Sequence, residues 1–315
     1  MRTRSRWIWW VLGFAGVAVA LKALAGFPWE DTVATLVNAN YWVLGVALVI
    51  NLSSLVAKGW AWHLLLKPVA PNHWRTAQEA NLVGAAVNNV SIAVGGEAAR
   101  IHYIAQRDGV PVGAAISSVV WTRVTETIAL AIFLVMAPSL LRLPHWLREL
   151  QVGAGLGLVI VMLITWHRGW SWILNQLPPS LQRRAAVLAE MGSGGRLFWP
   201  TVLGLVNWGS QWATYHLVLV AAHIPVIPAA SFTALVAANL GGVVRITPAG
   251  LGVTQAAMVL ALLQFGVAAD RSVAAGLALQ ALQVLPVIFF GAILTGWRLT
   301  ETARRAEETE ALQPV

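Results

Sequence analysis

Six stretches of this chain stay apolar for about as long as a helix needs to cross the roughly 30 Å hydrocarbon layer of a bilayer. They cover residues 7–26, 41–64, 112–137, 151–166, 198–221 and 272–297. In lipid a backbone must satisfy its own donors and acceptors, and a helix does so within one segment. The runs therefore specify an all-α, polytopic membrane protein with six spanning helices. Composition agrees: 58% of the 315 residues are hydrophobic and 11% charged, against roughly 25% charged in a soluble domain.

The formal net charge of +8 invites a nucleic-acid reading, but the basic residues follow topology, since cytoplasmic loops retain Lys and Arg. With the N-terminus inside, Lys67, Arg75, Arg100, Arg107, Arg196 and Arg298 fall on the cytoplasmic side, and Lys22, Arg142, Arg148 and Arg271 outside. Both termini are then cytoplasmic and no nucleic-acid partner is implied. Most tryptophans, Trp62 among them, fall near helix ends, where an amphipathic indole sits well; Trp121, Trp208 and Trp212 lie deep. The first run also reads as a signal peptide with Ala23-Leu24-Ala25 as a cleavage site, an alternative opposed by Lys22. With no cysteine the chain forms no disulfide or thiolate site, and its histidines and carboxylates show no metal-ligand spacing.

Pro68-Val69-Ala70-Pro71 recurs as Pro225-Val226-Ile227-Pro228, an offset of 157 (225 less 68). At that offset Trp42 falls on Trp199, Gly84 on Gly241, Gly95 on Gly252 and Gly109 on Gly266. The chain divides into repeat one, about 7–137, and repeat two, about 151–297, forming one transmembrane domain over 1–297 with a short cytoplasmic tail at 298–315. Each repeat reads as helix, helix, a broken apolar segment (76–107 and 229–266) and a final helix. If each broken segment enters and leaves on the same side, every repeat crosses three times and the second is inverted. Inverted repeats with interrupted helices point to alternating access around a midplane site. A full crossing at 251–266 is the competing topology.

Glu97 and Arg100 follow Gly95-Gly96 at i, i+3 and share a helix face. Beside them Asn88, Asn89 and Ser91 suit a polar cavity, because non-helical backbone at membrane depth survives only where protein or water satisfies it. An ordinary surface helix is the plainer alternative. Arg123 and Glu126 stand mid-run, where a lone charge costs about 2.5 to 3.5 kcal/mol and marks a functional site; a structural ion pair is the competing reading. In the second half Arg245, Thr247 and Gln255 occupy the place of the first polar stretch, and Gln280 and Gln283 fall on Arg123 and Glu126. Arginines suit an anionic headgroup, since guanidinium binds phosphate bidentately.

At 88–100, 123–126 and 247–255 the chain resembles the lysylphosphatidylglycerol synthase transmembrane family, which is flippase-like, over residues 7–297. The resemblance implies two re-entrant hairpins, a bacterial cytoplasmic membrane, and movement of lipids or lipid-linked headgroups between leaflets. Bifunctional members append a soluble aminoacyl transferase domain. Only a short polar tail follows residue 297, so synthase activity is not implied. The family's second motif often ends in Glu where this chain has Gln255, so no proton-coupling role is carried to that position.

Three functions follow in order: a transporter of an anionic phospholipid or polyprenyl-phosphate lipid; a lipid-modifying enzyme, which lacks a metal cluster, a Ser-His-Asp set or a phosphate loop; and a non-transporting subunit. The first is expected to work without a cofactor, alongside a partner glycosyltransferase or lipid-modifying enzyme.

Overall fold

The computed structural model describes residues 27–91, 95–136, 141, 143–166, 195–225, 227–242 and 247–311. The first apolar run and Arg245 lie outside them. Among the described residues the regular elements are all helical: α1 (Trp29–Val37), α2 (Tyr41–Leu66), α3 (Trp74–Val90), α4 (Gly95–Asp108), α5 (Val112–Met136), α6 (His145–Trp166), α7 (Phe198–Ala221), α8 (Pro228–Gly241), a single 3-10 turn (Pro248–Gly250), α9 (Val253–Leu263) and α10 (Ala269–Ala311).

Of the six expected crossings, three described helices are long and apolar enough: Tyr41–Leu66, Val112–Met136 and the Ala269–Arg298 part of α10. Helix α7 has 24 residues but falls outside that set, its apolar run being interrupted by Asn207, Ser210, Gln211, Thr214 and His216. Asn207 and Thr214 are buried, so this polarity faces other helices. Helix α6 covers the fourth expected run with 22 residues and is likewise outside the set. At 1.5 Å per residue the 11 residues of α9 reach roughly 16 Å, too short for the full crossing at 251–266. The tail expected from 298 begins as a continuation of α10. Helix α1 has no counterpart in the sequence reading; buried Thr32 anchors it by donating to the Asp270 carbonyl at 3.3 Å.

Local chemistry sets the helix ends. Asn40 caps α2 by accepting from the N–H groups of Trp42 and Val43 at 3.1 and 3.3 Å, the usual duty of an N-cap amide. Pro228 opens α8, where its missing N–H costs nothing. Asp108, at the end of α4, accepts from the His73 N–H at 2.7 Å and the Thr76 hydroxyl at 3.0 Å, closing the base of the α3–α4 pair. Within α10, Pro286 leaves the Leu282 carbonyl without its helical donor, and the Asn51 amide supplies one from α2 at 3.2 Å.

Two cores lie mainly within one half each, and a third, with Leu134, Leu147, Phe232 and Val236, joins α5 and α6 to α8. Trp62, Leu66, Ala77, Ala80, Ile104 and Ala115 join α2 to α5, while Tyr215, Leu219, Leu235, Met258, Leu262 and Leu279 join α7 to α10. The halves meet most extensively along α2 and α7. Trp62 corrects an expectation: it is fully buried, with its indole N–H donating to the Ser118 hydroxyl at 2.8 Å.

Element bounds recur along the chain. Helices α2 and α7 begin 157 residues apart (41 and 198), as do α5 and α10 (112 and 269). The helix pairs cross at matching places. A Cβ on Gly84 would meet the Gly96 carbonyl at 2.7 Å and Arg100 Cβ at 3.1 Å; one on Gly241 would meet Val253 Cγ1 at 3.1 Å and Ala257 Cβ at 3.6 Å. Positions 253 and 257 are 96 and 100 advanced by 157. Gly109 and Gly266, the same distance apart, both have positive φ, 66° and 75°.

Candidate functional site

The charged residues singled out on α4 and α5 converge. Glu97 lies at the start of α4 and Arg100 one turn on; Nε of Arg100 is 2.6 Å from Glu97 Oε2, an ion pair whose N–H is not aimed along a hydrogen bond. The other Glu97 oxygen accepts from Nη2 of Arg123 on α5. Arg123 Nη1 donates to Glu126 Oε2 at 3.1 Å, and Glu126 Oε1 stands 3.8 Å from Lys58 Nζ on α2. The network joins three cations to two carboxylates across three helices. Arg100 is the deepest, 7% exposed, with its guanidinium 4.7 Å above the Trp62 ring and Nη2 lacking a hydrogen-bond partner. A surface helix with hydrated charges is therefore not what the stretch forms, since Arg100 is buried among the helices. Leaving any such buried charge unpaired costs roughly 3 to 5 kcal/mol.

Close backbone approach places α4. A Cβ on Gly96 would lie 2.1 Å from the Gly84 carbonyl oxygen and 2.4 Å from Asn88 Cγ, so α3 and α4 touch main chain to main chain. Asn88 accepts from the Gly96 N–H at 3.1 Å, which ties the start of α4 to the end of α3.

Arg123 points into a cavity of about 730 Å³. From the first half Asn51, Ser54 and Lys58 on α2, Asn89 on α3 and Arg123 on α5 line it. From the second come Gln211 and Tyr215 on α7, Asn239 on α8, Thr254 on α9 and Gln283 on α10. Gln283 Nε2 donates to Gln211 Oε1 at 3.2 Å. The Arg123 side chain is 55% exposed, against 19% and 20% for Glu97 and Glu126, and neither carboxylate is part of the wall. Lys58 was not among the residues singled out; its signal was a lysine inside an apolar run, which marks function by default.

Of the second-half candidates, Gln283 lines the cavity, whereas Thr247, Gln255 and Gln280 are not among its lining residues and make hydrogen bonds within the turn ahead of α9. Thr247 donates to the Leu251 carbonyl at 2.7 Å. Gln255 accepts from the Gly252 N–H at 2.7 Å and donates to Gln280 Oε1 at 2.6 Å, while Gln280 donates to the Ala249 carbonyl at 2.7 Å. Ala249 has φ 53°, a left-handed conformation costing a non-glycine residue about 1 kcal/mol or more, and the Gln280 bond helps hold it. Arg245 lies outside the described residues.

A second cavity, about 670 Å³, lies between α1, the end of α7 and the start of α10, lined by Asp31, Asn38, His223 and Asp270 among others; none of the candidate site residues is among its described lining. Among the described residues no three of His, Asp and Glu gather to hold a metal ion.

Helices long and apolar enough to cross a membrane, together with a cavity lined by polar and cationic side chains from both halves, define an integral membrane protein. The chain belongs to the family described as the lysylphosphatidylglycerol synthase TM region, which matches residues 8–291. That membership makes it a membrane protein of lipid metabolism or transport. No curated protein matches it.

Proposed function

We propose that this protein is a lipid flippase or transporter that moves an anionic phospholipid or a polyprenyl-phosphate-linked lipid between leaflets of a bacterial cytoplasmic membrane. The observation carrying the reading is Arg123: a guanidinium on a membrane-spanning helix, neutralised on one side by Glu97 and Glu126 and open on the other to a cavity shared by both halves. Such a group binds phosphate in a forked geometry. A non-transporting subunit with an idle ion pair would have no use for that opening.

In this reading the short pairs α3–α4 and α8–α9 are re-entrant hairpins, the halves are inverted copies, both termini are cytoplasmic, and rocking one half against the other exposes the cavity alternately to each side. The protein transports without chemistry of its own and needs no cofactor, and a glycosyltransferase or lipid-modifying enzyme supplies or consumes its lipid. Glu97 is the coupling element, exchanging Arg123 between itself and the headgroup.

Purified protein in proteoliposomes tests this by a leaflet-accessibility assay over anionic phospholipids and polyprenyl phosphates. The expected result is movement of at least one lipid and its loss, about tenfold or more, in Arg123→Ala; no protein-dependent movement of any of them contradicts transport. Thiols introduced at Gly109 and Ala269 test the topology, and labelling of both from the same side contradicts the inversion.

A further inference from the structure

The two halves are tied together where the spanning part of α10 ends, and the tie differs in kind from the contact at the matching place. We infer that residues 287–298 of α10 form a lateral gate, hinged at Pro286 and clasped by Arg298 to Glu79, which parts α10 from α3 and lets a lipid headgroup pass from the bilayer into the central cavity. The inference deepens the proposed function and rests on the reading that this cavity takes a lipid headgroup.

Arg298, the last residue of the spanning part of α10, donates from Nη2 to Glu79 Oε1 on α3. Its guanidinium lies 4.5 Å over the Trp297 ring, and the Tyr103 hydroxyl on α4 donates to the other Glu79 oxygen at 2.7 Å. Both side chains of the ion pair are 21% exposed, so each can be hydrated once released, which keeps the cost of opening below that of a fully buried pair. Closer to the hinge, a Cβ on Gly291 would meet Ala86 Cβ of α3 at 2.7 Å. A glycine against an alanine lets helices approach closely and part again without unthreading a large side chain. At Pro286 the helix already lacks one of its own hydrogen bonds, the Leu282 carbonyl being served by Asn51 on α2 at 3.2 Å, and helices bend at such points.

The gate stands between two spaces. Val287, at its hinged end, lines the central cavity. Ile293 and Trp297, with Glu79 and Leu82 of α3 and Val56 of α2, line a largely apolar side cavity of about 430 Å³, and Leu55 lines both. Swinging the gate off α3 joins the two spaces, so that a headgroup reaches the centre while its tails stay in hydrocarbon.

The matching seam, between α5 and α8, has neither hinge nor clasp. At the offset of 157, Pro286, Gly291 and Arg298 fall on Ala129, Leu134 and Leu141, and Glu79 and Tyr103 on Val236 and Leu260. There Leu134 and Val236 are buried with Phe232 and Leu147, and Leu141 packs against them. Parting that seam would empty space filled by large apolar side chains, which core packing resists.

The chain has no cysteine, so introduced thiols report alone. In proteoliposomes the thiol of Leu55→Cys is expected to react with N-ethylmaleimide about tenfold faster when Arg298→Gln or Glu79→Gln is added, the factor that 1.4 kcal/mol gives. The charge swap Glu79→Arg with Arg298→Glu is expected to restore the slow rate, and the thiol of Leu134→Cys in the other seam to be unaffected throughout. Ala86→Cys with Gly291→Cys, oxidised to a disulfide, is expected to stop lipid movement until it is reduced. Unchanged Leu55→Cys reactivity in both clasp variants overturns the gate. So does equal acceleration at Leu134→Cys, which marks general loosening, and so does lipid movement at the wild-type rate through the oxidised pair; the transport proposal survives all three. If the unlocked protein moves no lipid, transport fails, and the thiol rates still decide whether the seam opens.

Discussion

The two helix pairs α3–α4 and α8–α9 share a crossing geometry and almost none of their polar chemistry. In both, a glycine of the first helix, Gly84 or Gly241, meets the residues 12 and 16 positions later on the second. At those positions the first pair carries Gly96 and Arg100, the second Val253 and Ala257. In the first half the following helix returns a charge, Arg123, to Glu97 of the pair; in the second it returns the amide of Gln280 to Gln255. Scaffold and chemistry thus vary independently: small residues keep the crossing, while the groups aimed at the centre diverge into an ion network on one side and an amide-tied turn on the other.

The sharpest way to break the comparison is to unpair the charged half. Glu97→Gln deprives Arg100 and Arg123 of a shared partner and is expected to cost roughly 3 to 5 kcal/mol, read as a lowered melting temperature in detergent, whereas Thr254→Val at the matching place is expected to be near neutral. Adding Arg100→Met to Glu97→Gln should recover part of the loss by removing the stranded charge. Full stability of Glu97→Gln alone would contradict the network.

Next is the crossing itself. Gly96→Ala places a Cβ 2.1 Å from a backbone oxygen that cannot move alone, with an expected cost of about 1 to 3 kcal/mol or more. Gly241→Ala meets a Val253 methyl at 3.1 Å and is expected to be the milder change. Equal losses in thermal unfolding would show that the two crossings are equivalent after all.

On the amide side, Gln280→Leu removes the donor to the Ala249 carbonyl and the acceptor for Gln255, for about 1 to 3 kcal/mol of unmet polar groups. The loss is expected as faster hydrogen exchange confined to the 247–255 turn, with lipid binding retained; unchanged exchange there would deny Gln280 its holding role. Smallest is Lys58→Ala. Its side chain is 35% exposed and its nitrogen 3.8 Å from Glu126, so stability should change by at most about 1 kcal/mol, while affinity for an anionic lipid falls. A stability loss as large as that of Glu97→Gln would make Lys58 a structural residue.

What the sequence made legible follows from distance along the chain. The pairs Glu97–Arg100 and Arg123–Glu126 lie at i, i+3 and were readable from helical periodicity alone. The bridge from Glu97 to Arg123, 26 residues apart, and the approach of Lys58 depend on how α2, α4 and α5 pack, which periodicity does not encode. Gln255 and Gln280 look like ligands in sequence because an amide spent on a turn is indistinguishable there from a free one. Trp62 was placed at an interface by its position near a helix end, but the facing Ser118 and Arg100 draw it inward. Three long apolar helices were plain from hydropathy; α1 was not, being nine residues long and held by packing on α10 and by contacts to residues far away in the chain, such as Thr32 to the Asp270 carbonyl and His223 to the Asn38 carbonyl.

The central claim is that Arg123 grips an anionic headgroup through its forked guanidinium, and the direct measurement is leaflet movement of an anionic lipid in proteoliposomes by wild-type protein, Arg123→Lys and Arg123→Ala at matched, correctly folded protein levels. A lysine keeps the charge and loses the fork. The account predicts that Arg123→Lys is nearly as impaired as Arg123→Ala; transport by the lysine variant at the wild-type rate would contradict it.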